Sequence, residues 1–181
     1  MPTRDEILEG LAEAHAELLA RYRTFTAQEL EAACTQSETP GGEAWRPKDH
    51  LAHLTLIERA FQGMVRRSLK GDTDPVGFSR TGAKNRDEVL AWIHRNNQNY
   101  VDAHHDDYME TLLAELARAR QDTLALLEQV SDEQLAIPLP GAPWADGTIG
   151  GILITNAQHE RLHLSWVEKG LQQHQQENHH A

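Results

Sequence analysis

The chain has 181 residues, of which 39% are hydrophobic, and its 28 acidic and 17 basic side chains give a formal net charge of −11. This length suits one domain with a single core, and the negative charge opposes nonspecific attraction to nucleic acid or anionic membranes. No run is apolar enough to span a membrane and no signal peptide is recognisable, so we expect a cytoplasmic protein without nucleic-acid or membrane partners.

Sequence patterns in the first third of the chain predict two helices followed by a loop. Thr3 to Glu6 form a capping box, and apolar residues at helical spacing predict a helix that runs to about Phe25. Thr26 to Glu29 repeats the capping pattern before a short helix. Residues Ser37 to Gly42, which include Pro40-Gly41-Gly42, then predict a loop.

A long helix is predicted after Trp45, with Pro47 at its first position and its end near Lys70-Gly71. At about 100° per residue, His53 lies at the centre of the apolar face, and His50 lies roughly 60° away, so His50 is the weaker candidate for a metal ligand on this helix. The apolar face carries His53, Ile57, Ala60, Phe61 and Met64, whereas the opposite, polar face carries Thr55, Glu58, Arg59, Gln62 and Arg66.

The remaining elements are also helical. Helical patterns cover Arg86 to Ala103 and Tyr108 to Val130, and Ser131 starts a short turn that ends at Pro138. The proline-rich stretch Pro138 to Pro143 predicts a loop, after which Thr148 caps the last helix. We expect one helical domain over residues 1–171 and a polar, frayed tail over residues 172–181.

The last helix carries His159-Glu160-Arg161-Leu162-His163, which sets two imidazoles one turn apart on the stripe of Ile152, Asn156 and Trp166. The same five residues spell a metalloprotease motif. However, only eighteen residues follow His163, and they lack the His-x-x-Gly-x-x-His spacing. A third metal ligand must therefore come from upstream.

His53 is the favoured upstream ligand. Three imidazoles buried in an apolar seam cost free energy unless each finds a partner, and a divalent ion satisfies all three acceptor nitrogens at once. The alternative is that His53 is a core residue bonded to the backbone. A triad of His53, His159 and His163 leaves a position for water or a thiolate. Cys34, the only cysteine, is expected to be a half-buried structural thiol.

The segments from Trp45 to Leu54 and from Asn156 to His163 resemble the DinB-like superfamily of metal-binding four-helix bundles. This superfamily includes thiol-dependent S-transferases and the amino-terminal domain of mycothiol-dependent maleylpyruvate isomerase. The resemblance implies an all-α four-helix bundle of DinB type with additional short helices. It also implies that His53, His159 and His163 hold a divalent metal, with Zn or Ni favoured.

The stretch from Glu88 to Leu135 also resembles the branch of this superfamily associated with self-resistance to a DNA-alkylating metabolite. Despite the family's damage-inducible name, DNA binding is not implied. We therefore expect a metal-dependent enzyme that activates a low-molecular-weight thiol for transfer to a small electrophile, in detoxification or resistance. Two alternatives remain open: a metal-hydroxide hydrolase, and a non-catalytic protein that sequesters a small molecule. A homodimer is the default expectation.

Four further residues are expected to lie around the site. Glu160 lies roughly 100° from the ligand axis, so it either supports a metal ligand or forms a salt bridge on the flank, and the second role is favoured. Asn156, Asn97 and Tyr100 are expected to line a substrate pocket. No catalytic side chain is identified from the sequence.

Overall fold

The computed structural model describes residues 1–141 and 146–180, and over these ranges the chain forms seven α-helices and no strand. This confirms the predicted all-α fold. The end of the predicted Pro138 to Pro143 loop and the last residue of the tail lie outside the described residues. A 3₁₀ helix spans Phe78–Thr81. The α-helices are α1 Arg4–Tyr22, α2 Ala27–Glu31, α3 Pro47–Leu69, α4 Arg86–Ala103, α5 Met109–Gln129, α6 Asp132–Leu135 and α7 Ile149–His180.

Four long helices, α1, α3, α5 and α7, form the bundle, and α3 packs against α4, α5 and α7. Because neighbours cover α3 on several sides, it buries much of the face that the sequence predicted to be polar. Thr55, Glu58 and Gln62 are all buried. The Gln62 amide donates to the carbonyl of Ala119 at 2.8 Å and to the hydroxyl of Thr123 at 3.0 Å. The polar side of the predicted wheel is thus buried at these three residues.

A buried ionic network joins the four long helices. Arg120 on α5 donates to Glu58 on α3 at 2.7 Å, to the carbonyl of Leu11 on α1 at 2.6 Å, and lies 3.1 Å from the carboxylate of Glu160 on α7. Glu160 also meets Nδ1 of His15 at 3.0 Å. A buried guanidinium thus compensates two buried carboxylates, which otherwise carry a large desolvation cost.

The apolar core consists of two clusters along the bundle. Leu11, Phe61 and Leu153 belong to the first, and Leu18 and Val167 belong to the second. Burial of each such side chain stabilises the fold by roughly 1.5–3 kcal/mol.

Among the described residues, no helix combines the length and hydropathy needed to cross a bilayer.

Two helix ends differ from the sequence prediction. Helix α1 opens with the predicted capping box, in which the backbone N–H of Thr3 donates to Glu6 at 2.7 Å, but it ends at Tyr22 and not near Phe25. Helix α7 continues to His180, past the boundary expected at residue 172. Leu171 is buried there, and Gln175 donates to Glu29 at 2.9 Å, so contacts with the start of the bundle support the added turns.

Candidate metal centre

Four potential ligand side chains converge from three elements. His53 comes from α3, His159 and His163 come from α7, and Glu38 comes from the loop between α2 and α3. One ligand atom of each residue lies within 4.8 Å of all the others. Glu38 Oε1 lies 2.9 Å from His163 Nε2, 3.3 Å from His159 Nε2 and 3.5 Å from His53 Nε2. The structure therefore brings the three predicted histidines together and adds a carboxylate.

The protonation of this group suits a divalent cation. Burial lowers the pKa of His53 and of His163, so both imidazoles are neutral and each keeps a lone pair. Burial alone would raise the pKa of the Glu38 carboxyl, but its contacts with His159, His163 and His53 lower it overall. Neutral imidazoles beside an ionised carboxylate are ligands that Zn²⁺ and similar ions accept.

His53 provides a separate indication of a missing partner. Both of its ring nitrogens are buried without a hydrogen bond. A buried polar group left in this state costs about 1–3 kcal/mol. The ring is fixed between α3 and Trp45, whose ring centroid lies 5.2 Å away. The three histidines and Glu38 thus form a buried group consistent with a divalent metal site.

A closed loop brings Glu38 to the histidines. The backbones of Thr35 and Trp45 exchange two hydrogen bonds of 2.9 Å, so the intervening residues form a loop whose ends are joined. Gly42 closes a turn within it, because its N–H donates to Thr39 at 2.9 Å and a Cβ there would lie 2.9 Å from the Thr39 Cβ. The sequence predicted this loop but gave no signal for Glu38, since a single glutamate in a polar loop is ordinary.

His50 lies beside the group without belonging to it. Its Nδ1 is 2.8 Å from Nδ1 of His163, and its Nε2 is 2.7 Å from the hydroxyl of Thr35. Its ring is fully buried, and Trp45 packs against it at 5.2 Å between centroids. Burial, followed by repulsion from His53, lowers the pKa of His50 to about 3. No sequence pattern predicts the contact between His50 and Thr35.

A cavity of about 1010 Å³ lies beside the candidate ligands. Helices α3, α4 and α7 and the 3₁₀ helix line it, and Glu38, His53 and His159 contribute to its wall. Its aromatic lining comes from Phe61, Phe78, Trp92 and Trp166. This volume is large enough for a drug-sized molecule, so a small substrate could reach the group from the cavity.

The predicted pocket residues occupy different places. Asn97 lines the cavity, whereas Asn156 and Tyr100 are not among its described lining residues. Asn156 is buried in α7 with its amide nitrogen unpartnered, and the hydroxyl of Tyr100 accepts from Arg59 at 3.3 Å. Glu160, for which a salt bridge was the favoured role, is buried and forms ion pairs with Arg120 and His15.

The sequence profile of the DinB superfamily matches residues 37–167, which contain all four members of the cluster. The chain belongs to the DinB superfamily. No curated protein matches its sequence.

Two solved structures share the DinB fold of this chain. An uncharacterised protein from Escherichia coli UTI89 superposes with a TM-score of 0.73 at 18% identity, covering 97% of this chain and 96% of its own. The colibactin self-resistance protein ClbS, in complex with double-stranded DNA, superposes with a TM-score of 0.71 at 20% identity, covering 93% and 96%. At these identities the likeness concerns the fold.

Proposed function

We propose that this DinB superfamily member is a divalent-metal-dependent enzyme that activates a low-molecular-weight thiol for transfer to a small electrophile. The observation that carries the proposal is the convergence of three histidines and Glu38 within 4.8 Å at a cavity of about 1010 Å³. The proposed ligands are His53, His159 and His163, with Zn or Ni as the metal and Glu38 in the fourth position, which the thiol takes when it binds. The proposed partners are the thiol and the electrophile.

A divalent ion held by the three histidines would supply the positive charge that lowers the pKa of a thiol toward neutral pH. The chain's own residues contribute positioning and exclusion of water. His53 and His163 are buried and neutral, so they fix two nitrogen ligands without competing for protons. The aromatic walls of Trp92 and Trp166 provide an apolar surface for the electrophile.

A role in detoxification or resistance is supported by the shared fold with ClbS, which is named as a self-resistance protein. ClbS was crystallised with DNA, but a net charge of −11 opposes a nucleic-acid partner for this chain. We therefore propose that a reactive small molecule is the target. A homodimer stays a prediction, which sedimentation of the untagged protein can test.

Metal content tests the site. The untagged protein, reconstituted with Zn or Ni, should retain about one equivalent by mass spectrometry, as expected for one site with four ligands. His53→Ala and His163→Ala should each lose most of it. His104→Ala is the matched control, because His104 pairs with Asp107 and is not part of the cluster. A wild-type protein that holds no metal after reconstitution would refute the metal-dependent function.

Turnover tests the chemistry. The metal-loaded protein is mixed with glutathione and 1-chloro-2,4-dinitrobenzene, a reaction that forms a carbon–sulfur bond and releases chloride and a proton. Repeated, thiol-dependent turnover above the rate of His163→Ala supports thiol transfer. Release of chloride without thiol would favour the hydrolase, and consumption that stops after one equivalent would favour sequestration. This reaction samples one member of each reactant class, so a second thiol and a second electrophile are run in parallel.

A further inference from the structure

We propose that Thr35 and His50 are positioning residues that hold His163 in one tautomer, with its Nδ1 protonated and the Nε2 lone pair facing the metal group. Three short contacts form a continuous chain. The Thr35 hydroxyl lies 2.6 Å from the carbonyl of Trp45 and 2.7 Å from His50 Nε2, and His50 Nδ1 lies 2.8 Å from His163 Nδ1.

The carbonyl of Trp45 determines which group donates and which accepts in each of these hydrogen bonds. A carbonyl oxygen has no hydrogen to offer, so the 2.6 Å contact requires the Thr35 hydroxyl to donate to it. A hydroxyl has one hydrogen, so the Thr35 oxygen must accept from His50. Nε2 of His50 therefore carries a hydrogen.

The same argument determines which ring nitrogen of His163 carries a hydrogen. The His50 ring is fully buried, and its nitrogens meet only a hydroxyl and another imidazole, an environment that suits the neutral ring. With a hydrogen on Nε2, a neutral His50 has its lone pair on Nδ1. That lone pair accepts from Nδ1–H of His163, so the lone pair of His163 lies on Nε2.

This arrangement matters for metal binding, because His163 Nε2 faces Glu38 Oε1 at 2.9 Å. In the metal-free protein this carboxylate opposes the chain, because it can only accept a hydrogen from Nε2. The opposite tautomer would place a hydrogen where a cation must bind, and that hydrogen would have to leave first. Hydrogen bonds to the far nitrogen of a ligand histidine fix its tautomer and raise its basicity, and their loss typically costs roughly 10- to 100-fold in metal affinity.

The test compares Thr35→Val, which removes the hydroxyl at similar size, with Thr35→Ser, which keeps it. The tautomer is read from ¹⁵N-histidine ring shifts in metal-free protein that carries Glu38→Gln, because the glutamine amide can donate to His163 Nε2, which a carboxylate cannot do. His163 should show Nδ1–H in Glu38→Gln alone and with Thr35→Ser. With Thr35→Val the chain of bonds can reverse, so Nε2–H should gain population. In protein that keeps Glu38, Thr35→Val should lower Zn affinity by roughly 10- to 100-fold.

A His163 that carries its hydrogen on Nε2 in the Glu38→Gln protein would overturn the proposal. So would a Thr35→Val protein whose tautomer and Zn affinity match those of Thr35→Ser. The measurement on Glu38→Gln alone decides the point even if Thr35→Val fails to fold. Because the tautomer is read without metal, thiol or electrophile, its outcome is separate from that of the proposed function.

A different observation supports a second inference, which rests on the proposed function for the use of the cavity. We infer that the end of the cavity remote from the metal group binds an anionic group of the ligand. Arg59, Arg67 and Arg86 line the cavity, while Glu38 is the one carboxylate among its described lining residues. The protein is acidic, yet this wall carries more cationic than anionic groups. Such a wall attracts anions.

Arg67 is the best-placed of the three arginines. It lies fourteen residues after His53 on α3, which at 1.5 Å per residue is about 21 Å along the helix. Its Nε donates to the carbonyl of Pro75 at 2.7 Å, and its Nη1 lies 3.1 Å from the position of a Cβ on Gly63, so the glycine leaves room for the guanidinium. Arg59, in contrast, pairs with Glu115.

The ligand chemistry that fits is an apolar or aromatic body with a carboxylate, sulfonate or phosphate, since a guanidinium binds such oxyanions through paired N–H groups. Fluorescence titrations compare 8-anilinonaphthalene-1-sulfonate with neutral N-phenyl-1-naphthylamine, which lacks the sulfonate. The sulfonate should bind more tightly, and Arg67→Gln should weaken it about tenfold. Arg80→Gln is the control, because Arg80 pairs with Asp72 and is not among the described lining residues.

Equal affinity for the two dyes, or equal effects of the two substitutions, would overturn this inference. Displacement of the dye by glutathione would assign the anionic group to the thiol, and displacement by 4-phenylbutyrate would assign it to the electrophile; either result supports the inference. Dye binding requires no turnover, so failure of the proposed reaction leaves this test intact.

Discussion

Gly170 of α7 packs directly against the backbone of Thr35: a Cβ on Gly170 would lie 2.8 Å from the Cα of Thr35 and 2.6 Å from the carbonyl oxygen of Cys34. Thr35 also holds one end of the loop that carries Glu38 and contacts His50. Because Gly170 has no side chain, α7 can approach the backbone of Cys34 and Thr35 closely. A backbone clash at this point cannot be relieved by rotating a side chain.

We predict that Gly170→Ala destabilises the protein by about 1–3 kcal/mol, because overpacking against backbone exceeds the gain in helix propensity. Gly10→Ala is the matched control. Its Cβ would meet the side chains of Ile154 at 3.6 Å and Ala157 at 3.9 Å, both ordinary contact distances, so the higher helix propensity of alanine should leave stability unchanged or raise it by up to about 1 kcal/mol. Urea denaturation measures both, and equal stability of the two variants would contradict the close approach.

The Arg120 network leads to a second prediction. Arg120→Met should destabilise the protein by about 3–5 kcal/mol, because Glu58 and Glu160 would remain buried without their cation. Arg118→Met is the control on the same helix, since Arg118 is exposed, and its effect should stay within about 0.5 kcal/mol. Adding Glu58→Gln and Glu160→Gln to Arg120→Met should recover part of the loss. A loss that these additions deepen would argue against charge burial as its cause.

The network also shows what the sequence could and could not predict. Helical periodicity places His53, His159 and His163 on inward faces, because each face is a property of one helix. The burial of Glu58 depends on Arg120, which lies on a different helix. Because α3 is covered on several sides, the wheel for this helix places Glu58 on its polar side but does not show that the residue is buried.

The candidate ligands also differ in whether the sequence of a single element can predict them. The histidine pair of α7 is recognisable because a spacing of four residues always brings two side chains together. Glu38 reaches the histidines only because the Thr35–Trp45 bridge closes its loop. Loop closure of this kind has no repeating signature, and neither Thr35 nor Glu38 differs from an ordinary polar loop residue. The sequence therefore predicted three members of the group and missed the fourth.

A third prediction tests Glu38. Glu38→Gln keeps the size of the side chain but removes the negative charge that faces the three histidines. We expect Zn affinity to fall, while the fold and thermal stability of the metal-free protein change little. Glu43→Gln is the control, because Glu43 is an exposed residue of the same loop outside the cluster. Isothermal titration with Zn measures both variants, and matching affinities would exclude Glu38 as a ligand.

The fourth prediction concerns pH. Burial lowers the pKa of His50 to about 3 and also lowers the pKa of His53 and of His163, whereas all three have a pKa near 6.5 in the unfolded chain. Below pH 6.5 the unfolded state therefore binds protons that the folded state does not. The stability of the metal-free protein should be full above about pH 6.5 and should fall as the pH is lowered from there toward 3.

Urea denaturation of the metal-free protein at pH 7, 6 and 5 measures this dependence. Each buried histidine contributes up to about 1.4 kcal/mol per pH unit, so three neutral rings should produce a steep decline between pH 6 and 5. Glu38, whose pKa is also lowered, adds a loss of the same sign at lower pH. His50→Gln should reduce the slope by one histidine's share, whereas His104→Ala should leave the buried rings and most of the slope in place. Stability that rises between pH 7 and 5 would show that the buried histidines are protonated in the folded state, and would remove the lone pairs on which the metal site depends.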